Sequence, residues 1–147
     1  MKIRKVERQD LNELVELCGL HAKYESVEYS EQGKQKKLEA ALFAVPPQLY
    51  CWVVDDGDQL LGYVSATKEF STWEAEYYIH MDCLYLREAT RGQGIGPKIM
   101  ELLQDFAKQQ ACKLIQWQTP LENELGIKFY DRLDTSWKLK RRYYLTT

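Results

Sequence analysis

The sequence predicts a single α/β domain: a mixed, mostly antiparallel sheet with one parallel pair, and helices packed on it. Three observations carry this. Two apolar runs, Leu49 to Val54 and Leu60 to Lys68, flank Asp55-Asp56-Gly57-Asp58, a hairpin signal that demands antiparallel pairing. A third apolar run, Glu76 to Leu86, precedes a helical pattern from Pro97 to Gln110 and then a short apolar stretch, Lys113 to Gln118. Strand, helix, strand in that order predicts a parallel pair joined by a right-handed crossover. The length, 147 residues, suits one domain covering 1–147, with a core large enough to need no disulfide or metal staple.

The remaining elements follow in chain order. Residues 2–6 alternate as a short first strand. Asp10 is placed to cap a helix in which Leu11, Leu14, Val15, Cys18 and Ala22 recur at helical spacing. Ser30 is placed to cap a second helix with Leu38, Ala41, Leu42 and Val45 on one side, and Pro46-Pro47 stops it. Trp73 falls in the connection between the strands 60–68 and 76–86, either as a wall of a binding site or as a cover for the core. In the helix from Pro97 to Gln110, residues Ile99, Leu102, Leu103, Phe106 and Ala107 form the buried stripe. Asn123 to Arg132 reads as a short helix and Trp137 to Leu145 as a closing strand.

Composition excludes several classes of function. A net charge of −2 gives no electrostatic footprint for nucleic acid. No apolar stretch approaches the roughly 18 residues of a membrane span, and Met1-Lys2-Ile3-Arg4-Lys5-Val6 lacks the apolar core of a signal peptide. A cytoplasmic protein is the expectation. Cys18, Cys51, Cys83 and Cys112 are scattered, without a Cys-x-x-Cys or metal-ligand spacing to either histidine. They read as small buried hydrophobes in a reducing compartment, and no metal site is expected.

The most informative segment joins the strand ending at Leu86 to the helix after it. It contains Arg91-Gly92-Gln93-Gly94-Ile95-Gly96, with Pro97 placed at the first helical position. Glycine turns at a helix N-terminus hold phosphates, because their backbone approaches closely and the first N–H groups have no partner. The spacing is not that of a dinucleotide fold, whose third glycine comes one residue later, nor that of a Walker loop, which needs a longer gap and a hydroxyl. The Arg-x-x-Gly-x-Gly pattern, with Arg91, Gly94 and Gly96 in the fixed places, resembles the coenzyme A signature of the GNAT acetyltransferase superfamily. Asn123, followed by Phe129-Tyr130, is similar to the family's second coenzyme A segment. His21-Ala22-Lys23-Tyr24-Glu25 is weakly similar to the spermidine/spermine branch, where a Tyr-Glu pair lies near the amine site.

The resemblance covers almost the whole chain, and it implies a splayed parallel pair, Leu84-Tyr85-Leu86 parting from its neighbour near Gln116-Trp117, with helices on both faces. It implies direct transfer of acetyl from acetyl-CoA, as co-substrate, to a primary amine of a small molecule, with a polyamine or diamine as leading acceptor. An aminoglycoside or a peptide N-terminus are alternatives within the enzyme class, and a non-catalytic acyl-CoA sensor is the alternative outside it. The implied coenzyme site comprises backbone groups of Leu84, Tyr85 and Leu86, the loop Arg91, Gly92, Gln93, Gly94, Ile95, Gly96 and Pro97, and Asn123 and Phe129. Pro97 departs from relatives that offer one more N–H there.

Tyr130 matches the family's general acid for the leaving thiolate, and Asp82 stands where the polyamine enzymes carry an acidic residue, so Asp82 or a water is the implied route for the amine proton. A backbone N–H near Leu84 is the implied oxyanion donor. Tyr24, Glu25 and His80 are candidates for the amine site, with His80 on the same strand face as Asp82 by alternation. His21 reads as a helix-surface residue. A homodimer is expected because it is frequent in the family. Relatives carry a glycine soon after the tyrosine helix, whereas Leu133-Asp134-Thr135-Ser136-Trp137 has none, so Asp134 in a left-handed conformation is the expected substitute.

Overall fold

The computed structural model describes residues 1–147. Five strands form one sheet in the order β1 (Lys2–Lys5), β2 (Tyr50–Asp55), β3 (Leu60–Ser71), β4 (Glu76–Leu86) and β5 (Ile115–Gln116). The first three junctions are antiparallel, and β4 with β5 is parallel. Helices α1 (Leu11–Tyr24) and α2 (Lys34–Leu42) cover one face, where Leu11, Leu14, Leu17 and Leu42 pack on Cys51, Val53, Leu60 and Tyr63. On the other face, α3 (Ile95–Gln109) packs Ile95, Ile99, Leu103 and Phe106 on Trp52, Val64, Ile79 and Met81, with α4 (Glu124–Asp131) beside it. Alternate residues of β2 therefore feed opposite cores, which is why the strand is apolar on both sides.

Local chemistry differs from expectation at several ends. Asp10 precedes α1, but its carboxylate accepts from Glu7 N–H at 2.7 Å and from both Arg4 terminal nitrogens, at 2.6 and 2.9 Å. It thus closes a 3₁₀ turn at Arg8–Asp10 rather than capping the helix. Ser30 does not cap α2. Gly33 does, at φ 72°, while Ser30 Oγ accepts from Gln32 N–H. The Asp55–Asp58 hairpin is as read, with Asp56 Oδ1 accepting from the N–H of Asp58 and of Gln59. β3 runs to Ser71, three residues past the expected Lys68, so the hairpin extends outward and Trp73 sits at its tip, 92% exposed. Trp73 neither lines a site nor covers the core.

The expected closing strand from Trp137 to Leu145 does not form. No ladder exists there, and Trp137, Leu139, Tyr143, Tyr144 and Leu145 are all exposed. A strand needs a paired edge, and β5 offers only two residues. The expected β5 from Lys113 to Gln118 is cut to Ile115–Gln116 for the complementary reason, with pairing on one side only. Asp134 is not left-handed either; the turn after α4 closes through Thr135, whose hydroxyl donates to the Tyr130 carbonyl at 3.1 Å.

Arg4 ties three elements together, holding Asp10 and also Asp55 on β2 at 2.8 Å. The hydrogen bonds from Arg4 hold the Asp10 carboxyl below its ordinary value, against a smaller opposing effect of burial. Arg4→Met strands a nearly buried carboxylate and is expected to cost about 2 kcal/mol, between a surface and a buried pair, read from urea unfolding at pH 7. A depressed carboxyl adds stability above its unfolded pKa and loses it as pH falls through the folded one. The gap between the two proteins is therefore expected to narrow below about pH 4.

Candidate functional site

The site grows from the way β4 parts from β5. Their ladder contains only Ile79 opposite Ile115 and His80 opposite Gln116. β4 runs on to Leu86 with no partner on that edge, and the chain beyond Gln116 leaves as a loop. On the other edge of β4, pairing passes from Ala66–Met81 to Ser65–Cys83, so Asp82 is the extra residue of a β-bulge. The bulge shifts the strand's phase. Ile79 and Met81 face α3 before it, and Leu84 and Leu86 after it, while Cys83 and Tyr85 turn toward α1.

A cavity of about 40 Å³ lies in this gap. β4 contributes Met81, Asp82 and Leu84, the end of α1 contributes His21 and Glu25, and Asn123 and Tyr130 close it from α4. Gln118 and Thr119 complete it from the loop after β5. Tyr130 is held by ring contacts with Trp117 and Phe129, at centroid distances of 5.2 and 5.3 Å. Burial, then the nearby charge of Glu25, push its phenol up to about 12, so it keeps its proton through the neutral range. Asn123 sets the start of α4: its Oδ1 accepts from Gly126 N–H at 3.1 Å and its Nδ2 donates to Thr119 Oγ1 at 2.8 Å. Gly126 is required here, because a Cβ would lie 2.2 Å from Asn123 Nδ2.

The glycine loop runs from Gly92 into α3, whose first helical residue is Ile95, so Pro97 is the third residue rather than the first. It is tolerated there because the first four amides of a helix have no intrahelical acceptor. The three glycines do different jobs. Gly92 and Gly94 adopt φ of 77° and 75°, and a Cβ on either would point into open space. Gly96 admits the Phe129 ring, one of whose carbons would lie 2.9 Å from a Cβ. None of the amides of Gly92, Gln93, Gly94, Ile95 or Gly96 donates to a protein acceptor. Several unpaired N–H groups and the positive end of α3 thus face outward together.

Arg91 borders this loop. Its Nε–H donates to the Leu86 carbonyl at 3.0 Å, and its guanidinium lies over the rings of Tyr24 and Tyr85, at 4.9 and 5.7 Å. Tyr24 also donates its hydroxyl hydrogen to Asn123 Oδ1, so it spans from the glycine loop to α4.

The structure thus gathers Tyr130, Asp82, Glu25, Leu84 and Asn123 around one cavity, with the glycine loop beyond. His80 does not line it. Its Nε2 lies 3.9 Å from Oδ1 of Asp82, which does. The Tyr85 ring stacks on His21, at 5.4 Å between centroids, which leaves only its backbone for a ligand in the gap. His21 is the residue sequence reasoning missed: it is half-buried in the cavity wall, not on the helix surface. The signal existed, since 14, 18, 21 and 25 share one helical stripe and Leu14 is core. Gln118 and Thr119 had no such signal, because their position depends on where the β5 ladder stops.

The acetyltransferase (GNAT) family profile matches residues 14–134. The bovine (Bos taurus) thialysine N-epsilon-acetyltransferase is 24% identical over 139 residues, spanning 89% of this chain and 81% of that one. The N-alpha-acetyltransferase 30 of Schizosaccharomyces pombe is 31% identical over 98 residues, 65% of this chain and 64% of that one. Among solved structures, an aminoglycoside acetyltransferase from an uncultured soil metagenomic sample, in complex with trehalose, superposes with a TM-score of 0.83 at 16% identity. That superposition covers 99% of this chain and 96% of the other.

Proposed function

We propose, from the premise that this chain belongs to the acetyltransferase (GNAT) family, that it moves acetyl from acetyl-CoA directly onto a primary amine of a small cationic molecule, a polyamine or diamine. One observation carries the reading: a protonated phenol, Tyr130, shares a small cavity with two carboxylates, Glu25 and Asp82. Amide-bond formation at a thioester needs a proton delivered to sulfur and one removed from the amine, and these groups supply both ends.

The residues present fit coenzyme A. The unpaired amides from Gly92 to Gly96 would hold the diphosphate, and open space above Gly92 and Gly94 lets it approach the backbone. The unpaired edge of β4 at Leu84, Tyr85 and Leu86 would hold the pantetheine arm, with Arg91, Asn123 and Phe129 at its borders and Pro97 adding no donor. The coenzyme supplies the activated acetyl group. The protein's own residues do the rest: Tyr130 holds a proton for the thiolate, the β4 amide near Leu84 stands ready for the carbonyl oxygen, and Glu25 with Asp82 receives the ammonium. Burial raises the Cys83 thiol to about 12, which removes the nearby thiol as an acyl-carrying nucleophile and favours direct transfer.

The name of the bovine relative, whose acceptor is the ε-amine of thialysine, supports a small amine as partner. An aminoglycoside, the acceptor class in the name of one solved neighbour, is the second reading, since its amines are also cations. Four free thiols fit the reducing cytoplasm, and a homodimer is retained from the family resemblance.

A thiol-release assay with acetyl-CoA across polyamines, thialysine, aminoglycosides and short peptides tests the function. Turnover with a polyamine or diamine at the highest kcat/KM is expected. In the same assay, Glu25→Gln and Asp82→Asn are each expected to raise the amine KM about tenfold, as one charged hydrogen bond is weakened. Unchanged KM in both variants would remove the cation site, and coenzyme binding without turnover would leave a sensor.

A further inference from the structure

His21 has a polar neighbour at each ring nitrogen. Nε2 lies 3.2 Å from Glu25 Oε2, one helical turn on, a charge contact without the alignment of a hydrogen bond, and Nδ1 lies 3.1 Å from the hydroxyl of the buried Tyr63 on β3. A carboxylate repels a bare ring nitrogen, so the tautomer that suits this contact carries its hydrogen on Nε2. In that neutral ring Nδ1 accepts from the Tyr63 hydroxyl, while Nε2–H faces the Glu25 carboxylate. The ring is held from its face as well, stacked on Tyr85.

Two consequences follow. A histidine beside an amine site is the natural candidate for a base, yet the one bare nitrogen of this ring is taken up by the Tyr63 hydroxyl. Its Nε2–H instead faces Oε2 of Glu25, which leaves Oε1 as that carboxylate's open acceptor. We propose that His21 is a positioning residue, which fixes Glu25 so that this carboxylate, rather than the histidine, receives the acceptor's ammonium. The inference rests on the amine-acetyltransferase reading above and names the part of the wall that selects a cation. Holding a long glutamate in one rotamer before the ligand arrives removes an ordering cost from binding. Burial lowers the tendency of His21 to ionise, and the facing charges of Glu25 and Asp82 only partly oppose this. Tyr63 and Tyr85 complete its surroundings, with Tyr130 across the same cavity.

Two measurements on the whole chain test this. The first needs no turnover. There are only two histidines, so long-range 1H–15N spectra of the 15N-labelled protein, assigned with His80→Gln, read the His21 tautomer directly. The Nε2–H form is expected, with ionisation only below the ordinary histidine value of about 6.5. An Nδ1–H form, or a titration at or above that value, overturns the proposal. The second uses kinetics with spermidine as probe. His21→Leu is expected to raise the amine KM about tenfold with little change in kcat, and His21→Gln, which keeps a donor and an acceptor, to recover most of it. A loss confined to thermal stability, or a fall in kcat that glutamine does not repair, overturns it. If the unaltered protein acetylates no amine, the functional reading fails by itself, and the tautomer still decides the role of His21.

Discussion

Tyr130→Phe is expected to lower kcat at least about 100-fold while leaving coenzyme A affinity within about twofold. Only an oxygen is lost. The ring contacts with Trp117 and Phe129 that fix the side chain need no hydroxyl, so the fold and the neighbouring loop stay intact. What disappears is the proton that the proposed mechanism delivers to the departing thiolate. With its pKa pushed up to about 12, the phenol is protonated across the accessible range. The basic limb of the wild-type kcat profile should then carry no inflection from Tyr130 below about pH 11. Single-turnover thiol release, with calorimetric titration of coenzyme A alongside, checks both halves. Undiminished kcat would exclude Tyr130 as the acid.

Gly94→Val should do the opposite, weakening coenzyme A binding at least about tenfold before any effect on chemistry. At φ 75° a β-branched residue is strained by roughly 1–2 kcal/mol, so the turn either relaxes or holds at a cost. A Cβ at this position meets no protein atom and takes up space beside the free amides. Stability should therefore fall by only about that strain, while the anion loses its approach to the backbone. Calorimetry with coenzyme A and with its dephospho form, beside thermal melts, separates the two effects. Unaltered affinity would move the diphosphate away from this loop.

The sheet and its helices were legible because their signals are local. The Asp55–Asp58 turn, the stripe of α1 and the glycine run before α3 each specify their own element, and the two-face core follows from the apolar β2 and β3. What was not legible depends on distant partners. The aromatic residues after Trp137 have strand propensity, but a strand forms only against an edge, and β5 ends after Gln116. Asp82 was found by counting from Arg91, yet its reason for being there, the bulge against Ser65 and Ala66, is a property of two strands together. His21 was misplaced for a similar reason. Its stripe on α1 was visible, but burial of its ring depends on Tyr63 and Tyr85 reaching it from the sheet. Arg91 was read as a basic residue at a phosphate loop, whereas its embrace by two tyrosines from separate elements had no trace in the spacing.

The single surplus residue at position 82 also makes the count of amino acids between Met81 and Cys83 a structural quantity in its own right. Excising it would leave Met81 next to Cys83, as their partners Ala66 and Ser65 already are, and the tail of that strand would keep its facing. Giving it a partner, by one residue inserted between Ser65 and Ala66, would instead turn that tail inside out, with Cys83 and Tyr85 thrust toward the helix that begins at the glycine run and Leu84 and Leu86 toward the one that begins at Leu11. Composition would barely alter, yet two hydrophobic layers would exchange their linings, so this stretch tolerates replacement far better than such an insertion.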